Sequence, residues 1–231
     1  MADDRNALKK MAGEKAVEYV ESGMVVGLGY GSTAIHALRL IGELIRQGEL
    51  EGIQAIPTAD LIADEAHRAG IPLTTLDEHP RIDVTIDGAD EVDPTLNLIK
   101  GGGGALLREK IVAQATLVEI IVVDEQKLSP ALGTNFDLPI EIIPFGMRPV
   151  EKYLRSLGAE PTLRVKRDGA PFITDNGNHI IDCRFGTIDD PYALSAQLKS
   201  RAGIVEHGLF LDLASEVIVA AGDGIRSLKR D

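Results

Sequence analysis

The sequence predicts an α/β fold, with a larger domain built on a parallel sheet covered by helices on both faces and a smaller α+β domain carrying an antiparallel sheet. Three observations point there. Through the first two-thirds of the chain, short β-rich apolar runs alternate with amphipathic stretches at helical spacing, the pattern of strand–helix–strand crossovers. After about Gly133 this texture gives way to Pro139, Pro144 and Pro149 and to the pairs Asp168-Gly169 and Asn176-Gly177, which supply the positive-φ residues of tight hairpins. From Leu209 to Ala221 an apolar run reads as a return to the first domain. The predicted domains are residues 1–132 with 205–231, and residues 133–204.

Taken in order, Asn6 to Glu21 predicts a helix, with Leu8, Met11, Ala12, Ala16 and Tyr19 near one face. Met24 to Leu28 predicts a strand, and Ser32 to Arg46 a helix with Ile35, Leu38, Ile41, Leu44 and Ile45 at helical spacing. Strand Gly52 to Ile56, helix Ala59 to Arg68, and strands around Leu73 to Leu76 and Ile82 to Ile86 continue the series. Leu96 to Ile99 is a further strand candidate, followed by a helix from about Ala105 to Leu117 and a strand Glu119 to Val123. In the smaller domain a helix at Val150 to Leu157 precedes strands near Leu163 to Val165, Phe172 to Thr174 and His179 to Cys183, and a helix from Pro191 to Ser200 closes it.

Composition bounds the function. With 231 residues, 44% of them apolar and 26% charged, the chain has an ordinary globular balance and enough length for a true core. A net charge of −12 repels phosphate backbones, which argues against nucleic acid as a general partner. The single cysteine, Cys183, forms no internal disulfide, the opening MADDRNALKK is too charged for a secretory leader, and no apolar run approaches the ~18 residues of a membrane span. These features predict a cytoplasmic protein with no membrane association.

Polar and glycine-rich clusters fall at five predicted strand ends. They are Gly29-Tyr30-Gly31-Ser32-Thr33, Pro57-Thr58-Ala59-Asp60, Asp87-Gly88-Ala89-Asp90-Glu91-Val92-Asp93, Lys100 with Gly101 to Gly104, and Asp124-Glu125-Gln126-Lys127. In a parallel sheet the carboxyl ends share one edge, where α/β ligand sites form.

Each cluster has a bland and a chemical reading. The Gly27–Gly31 turn opening a helix is either a cradle for an anion or a turn capped by Ser32. It fits phosphate better than NAD or ATP, because the sixth position of a dinucleotide fingerprint is Ser32, no acid follows the second strand, and no Gly-Lys-Ser/Thr is present. The acidic run is a solvated turn, a Mg²⁺ site or a set of acid–base groups. Four glycines after Lys100 are either a flexible linker or a close backbone approach to a ligand, and their position between a strand and a helix favours the second. Glu109, with Ala105, Leu106, Val112 and Ala113 as helical neighbours, is either a partly desolvated general base or the partner of Arg108 or Lys110. The five histidines show no pair at ligand spacing, so zinc is not expected.

The blocks Gly29-Tyr30-Gly31-Ser32-Thr33-Ala34, Asp87 to Asp93 and Lys100 to Lys110, with the Thr174 to Asn178 turn and His207-Gly208-Leu209-Phe210, closely resemble the signature segments of ribose-5-phosphate isomerase A. Tyr30 and Leu107 stand where that family usually has threonine. The resemblance implies a Rossmann-like larger domain beside the α+β domain, interconversion of ribose 5-phosphate and ribulose 5-phosphate through an enediolate in the non-oxidative branch of the pentose phosphate pathway, no metal or organic cofactor, and a homodimer or homotetramer. It implies Glu109 as the base, Asp87 as a mover of hydroxyl protons with Asp90 beside it, and Lys100 as the charge that steadies the intermediate. It further implies substrate contacts from Lys9, Tyr30, Gly31, Ser32, Thr33, Asp87, Gly88, Ala89, Asp90, Lys100, Gly101, Gly102, Gly103 and Lys127.

Three rivals stand beside this reading. A non-catalytic sugar-phosphate-sensing module lacks a preceding DNA-binding helix pair, an acyl or CoA transferase would use Glu109 as nucleophile, and a nicotinamide dehydrogenase lacks its acid.

Overall fold

The computed structural model describes residues 2–230. In chain order, α1 (Ala2–Ala16) leads through a 3-10 turn to β1 (Val25–Leu28), α2 (Ala34–Gln47), β2 (Gln54–Pro57), α3 (Asp60–Ala69) and β3 (Ile82–Asp87). Two short strands, β4 (Glu91–Val92) and β5 (Leu98–Ile99), precede α4 (Leu106–Gln114) and β6 (Thr116–Asp124). Then follow β7 (Leu138–Ile142), α5 (Met147–Ser156), β8 (Glu160–Leu163), β9 (His179–Arg184), α6 (Pro191–Lys199), β10 (Ile204–His207), β11 (Leu209–Phe210), β12 (Glu216–Ala221) and β13 (Gly224–Lys229).

Two units result. The first comprises the chain up to Ala89, Arg108–Lys127 and the chain from Leu213 onward; the second comprises Asp90–Leu107 and Leu128–Asp212. The acidic motif and the lysine–glycine block are therefore each divided, between Ala89 and Asp90 and between Leu107 and Arg108.

The first unit is a six-stranded sheet in the order β13-β12-β6-β3-β1-β2, flanked by helices. All its pairings are parallel except that of β12 with β13 at one edge. Central parallel strands are buried on both faces and so read as continuous apolar runs: every residue of β1 and of β12 is buried. α1 packs along β6 and β12, and Val25, Ile56, Ile82 and Val112 form one of the apolar clusters. The second unit holds a four-stranded antiparallel sheet, β10-β7-β9-β8, and a three-stranded one, β11-β5-β4. Its core gathers Ile140, Ile142, Leu154, Ile181, Cys183 and Leu198 between sheet and helices. Among the described residues no helix is long and apolar enough to cross a membrane.

Several elements depart from the sequence reading, each for a local reason. The strand expected around Leu73 is a single bridge to Ala55, because side-chain bonds inside the next turn, Thr74 Oγ1 to Glu78 and Glu78 N–H to Thr75 Oγ1, compete with a ladder. The Phe172–Thr174 strand is likewise replaced by a turn, in which Thr174 Oγ1 accepts the N–H groups of Asn176 and Asn178. The prolines hid β7, an inner strand of its sheet. Pro139 is tolerated because β10 pairs only with Ile140 to Ile142, beyond the proline. Finally, β5 lies in the three-stranded sheet rather than in the parallel one, so four of the five polar clusters, not five, stand at ends of the large sheet's strands.

Candidate active site

In the first unit the site is organised by Asp87, the last residue of β3 and 1% exposed. Its Oδ1 accepts two backbone N–H groups, from Tyr30 at 3.0 Å and from Gly88 at 2.7 Å. Charge-assisted bonds of this kind fix the orientation of a carboxylate. The neighbouring loop lies this close only because residue 29 has no side chain: a Cβ on Gly29 would stand 2.3 Å from the Asp87 carboxyl carbon. The sequence neighbourhood Gly29-Tyr30 is thus a device for holding Asp87, and the tyrosine's contribution to it is made by the main chain. Gly88 and Ala89 continue from it, both half-buried.

Ser32 is not the cap of α2. Thr33 holds the N-cap position, is buried, and makes no side-chain cap bond, whereas the Ser32 hydroxyl accepts from Lys9 Nζ at 3.0 Å. Lys9, Gly31, Ser32 and Thr33 are therefore gathered at one helix N-terminus, where backbone N–H groups and the helix dipole favour an anion. Thr58, fully buried at the end of β2, seals the adjoining strand end, its N–H and its Oγ1 each donating to Leu28 O at 3.0 Å. Lys127 is half-buried in the 3-10 turn that follows β6.

Glu109 stands in the first turn of α4 and is 4% exposed. Arg108, one of the two partners weighed for it, forms an ion pair with Asp60 at 2.6 Å.

The second unit carries the rest of the predicted set. Its acidic residues take separate backbone partners: Asp90 Oδ2 accepts the Gly102 N–H at 2.7 Å, Glu91 accepts those of Gly133 and Asn135 at 2.7 and 2.9 Å, and Asp93 those of Thr95 and Asn97 at 2.8 and 2.9 Å. The carboxylates of the run are thus engaged by main-chain donors rather than left to solvent, and among the described residues no three His, Cys, Asp or Glu side chains cluster as a metal site. Lys100 is 1% exposed, with Nζ 5.4 Å from the centroid of the Phe210 ring, a favourable cation–π arrangement. Within the glycine run, Gly102 and Gly103 are exposed, the Gly102 N–H is taken by Asp90 and the Gly104 N–H by Gly101 O at 3.0 Å. Among the described residues the Gly101 and Gly103 N–H groups have no main-chain acceptor, and of the two only Gly103 is exposed. Sequence reading missed Phe210 beneath Lys100 and also Arg164, whose Nη1 donates to Gly101 O at 2.8 Å and Gly102 O at 3.1 Å. No local signal marked Arg164, which stands just beyond a short strand and is followed by the further charges Lys166, Arg167 and Asp168.

Each unit thus contributes distinct chemistry. Of the predicted site residues, the first holds the buried carboxylates Asp87 and Glu109 and a helix N-terminus with hydroxyl and lysine donors. The second holds a buried ammonium and a glycine backbone whose N–H groups are oriented. Carboxylates suit proton transfer at carbon or oxygen, the cation and N–H groups suit a developing oxyanion, and the helix end suits phosphate.

Comparison with known proteins shows the family. The family model described as ribose 5-phosphate isomerase A (phosphoriboisomerase A) matches residues 54–224. A ribose-5-phosphate isomerase A of Desulfatibacillum aliphaticivorans is 56% identical over 97% of this chain and 98% of its own. One of Chloroflexus aurantiacus is 56% identical over 94% of this chain and 91% of its own. A D-ribose-5-phosphate isomerase solved in complex with phospho-erythronic acid superposes with a TM-score of 0.95 at 41% identity, covering 97% of this chain and 98% of that one. Ribose 5-phosphate isomerase from Plasmodium falciparum superposes with a TM-score of 0.94 at 41% identity over 98% and 99% of the two chains. With near-complete coverage in sequence and in fold, the chain belongs to the ribose 5-phosphate isomerase A family.

Proposed function

We infer that this protein interconverts D-ribose 5-phosphate and D-ribulose 5-phosphate, an aldose–ketose isomerisation through an enediolate. The observation that carries the inference is 56% identity to a ribose-5-phosphate isomerase A along 97% of the chain. The ligand of the solved relative supports it chemically: phospho-erythronic acid is a phosphorylated polyol ending in a carboxylate, whose two oxygens resemble the paired oxygens of an enediolate.

Within that reaction the roles follow from the residue types. Glu109 removes the proton from C2 of the open aldose; the C2 electron pair forms the enediolate and the former carbonyl oxygen on C1 takes negative charge. Lys100 and N–H groups of the glycine run stabilise that oxygen. Asp87 passes the hydroxyl proton from O2 to O1, so that C2 becomes the carbonyl, and Glu109 returns its proton to C1, leaving nothing consumed or released. Asp90 keeps the glycine run in place through Gly102. Lys9, Ser32, Thr33 and Lys127 hold the phosphate and the adjoining hydroxyls. We also propose a cytoplasmic homodimer or homotetramer.

The test is ketose formation from ribose 5-phosphate by the purified protein, with and without EDTA. Turnover that survives EDTA is expected; an inactive protein contradicts the reading, and activity abolished by chelation contradicts the metal-free route.

A further inference from the structure

We propose that Arg164 is a positioning residue for this isomerisation, holding the Gly102–Gly103 peptide so that the Gly103 N–H is presented to the substrate oxyanion. The proposal rests on the reading that the glycine run meets the reacting sugar. One guanidinium nitrogen, Nη1, donates to two successive carbonyls, Gly101 O at 2.8 Å and Gly102 O at 3.1 Å. In a trans peptide the C=O and N–H point in opposite directions, so a cation that fixes the carbonyl fixes the N–H as well. The first of the two peptides shows the consequence: with Gly101 O on Arg164, the Gly102 N–H points the other way and donates to Asp90 at 2.7 Å. The second peptide has the same guanidinium at its carbonyl, so its Gly103 N–H is directed away from the arginine, and among the described residues it has no acceptor. Glycine alone would let this peptide rotate; the guanidinium removes that freedom and polarises the N–H as a donor.

Arg164 is itself immobilised. Nε and Nη2 donate to the two oxygens of Asp182 at 2.9 and 2.5 Å, the side chain is 14% exposed, and the guanidinium carbon lies 5.9 Å from the centroid of the Phe172 ring. Phe172 in turn occupies the space beside Gly104, where a Cβ would come within 2.4 Å of the ring. A simple ion pair with Asp182 would need only one edge of the fork. The remaining donor goes to the glycine carbonyls, a three-way grip that the planar guanidinium makes and an ammonium does not. Arg164 also lines, with Gly102, Phe136 and Asp182, a cleft of about 450 Å³ through which a small cation can reach it.

The experiment compares the wild-type enzyme with Arg164→Ala, Arg164→Lys and Arg184→Ala. The last removes an exposed guanidinium that pairs with Asp137 at 3.3 Å and controls for loss of charge. In Arg164→Ala, kcat is expected to fall about 10- to 100-fold while KM stays within about threefold. Sub-denaturing guanidinium chloride should restore at least several-fold of that loss, with no effect on Arg184→Ala, and Arg164→Lys should remain impaired. Should Arg164→Ala not fold, Asp182→Asn, which loosens the arginine without removing it, is expected to show a smaller fall in kcat at unchanged KM. Unchanged kcat in these variants, full activity in Arg164→Lys, or a loss that guanidinium fails to rescue and that follows a lowered melting temperature would overturn the proposal. A wild-type chain without isomerase activity would overturn the functional reading and the proposal together; an active wild-type enzyme with unaffected Arg164 variants overturns the proposal alone.

Discussion

Glu109 and Asp87 are both carboxylates at 4% and 1% exposure, yet the residues around them set different tasks. Asp87 is tied by two main-chain donors on one oxygen, a fixed acceptor suited to hydroxyl protons. Glu109 lies in the first turn of α4 between Arg108 and the buried Lys110, with Leu106, Val112 and Ala113 three and four residues away. Gly29→Ala places a methyl 2.3 Å from the Asp87 carboxyl carbon, so the carboxylate must shift; overpacking of this kind costs about 1–3 kcal/mol. We expect at least about a tenfold loss of kcat, with folding retained by circular dichroism; wild-type turnover would show that Asp87 need not be held where it is. Lys100→Ala should lower kcat more than it raises KM, since in the role proposed for it its charge matters most in the transition state. Steady-state kinetics decide this, and an effect confined to KM would count against the assigned role. These residues stood out in the sequence as candidates because glycine and charge cluster at strand ends, and the family resemblance supplied their roles; Arg164 did not, because it reaches the glycine run from a segment 63 residues away through bonds to main-chain carbonyls.

At the scale of elements, the parallel strands and their helices were legible because apolar periodicity is a local signal. What failed were strands whose existence depends on partners far along the chain. β7 was hidden by Pro139, and only its register with β9 and β10 shows why the proline is harmless. β5 was read into the large sheet because nothing local tells Leu98-Ile99 that it pairs with Leu209-Phe210. One inter-element bond gives a pH-dependent prediction. Tyr19, just after α1, donates to Glu216 on β12 at 2.6 Å. That hydrogen bond, with burial and the negative charge, pushes the tyrosine up to about 12. Burial alone would raise Glu216, but its donors Ser227, Tyr19 and Lys229 outweigh it and hold the carboxyl below its ordinary value. The tyrosine's contribution is therefore complete below its unfolded pKa near 10 and fades as pH rises through about 12. The carboxylate's is present above its unfolded value and lost as pH falls below it. Tyr19→Phe should cost about 1–2 kcal/mol at pH 7, a difference that shrinks towards pH 12 and again in acid. Urea unfolding of both proteins across pH measures it; a pH-independent difference would mean that the bond contributes through packing alone.

Over the whole molecule, the α/β architecture with a smaller antiparallel sheet was legible from texture alone, since alternation and hairpin chemistry are properties of long stretches. The thiol offers a probe of the second unit. Cys183 is fully buried in its core among Ile181, Leu154 and Leu198, and burial, reinforced by the Asp182 and Asp137 charges, pushes the thiol far above its ordinary value. It should resist a thiol reagent in the folded enzyme and react once denaturant opens that unit; prompt labelling of the native protein would contradict the packing described here.

The claim on which the account turns is that one buried carboxylate carries the proton between adjacent sugar carbons. Its most direct measurement is turnover and ligand binding in Glu109→Gln, an isosteric change that removes the base and keeps the shape. The account predicts a loss of kcat of about 10²- to 10⁴-fold, with phospho-erythronic acid bound within a few-fold of the wild-type affinity; turnover close to wild type in a correctly folded Glu109→Gln enzyme would contradict it.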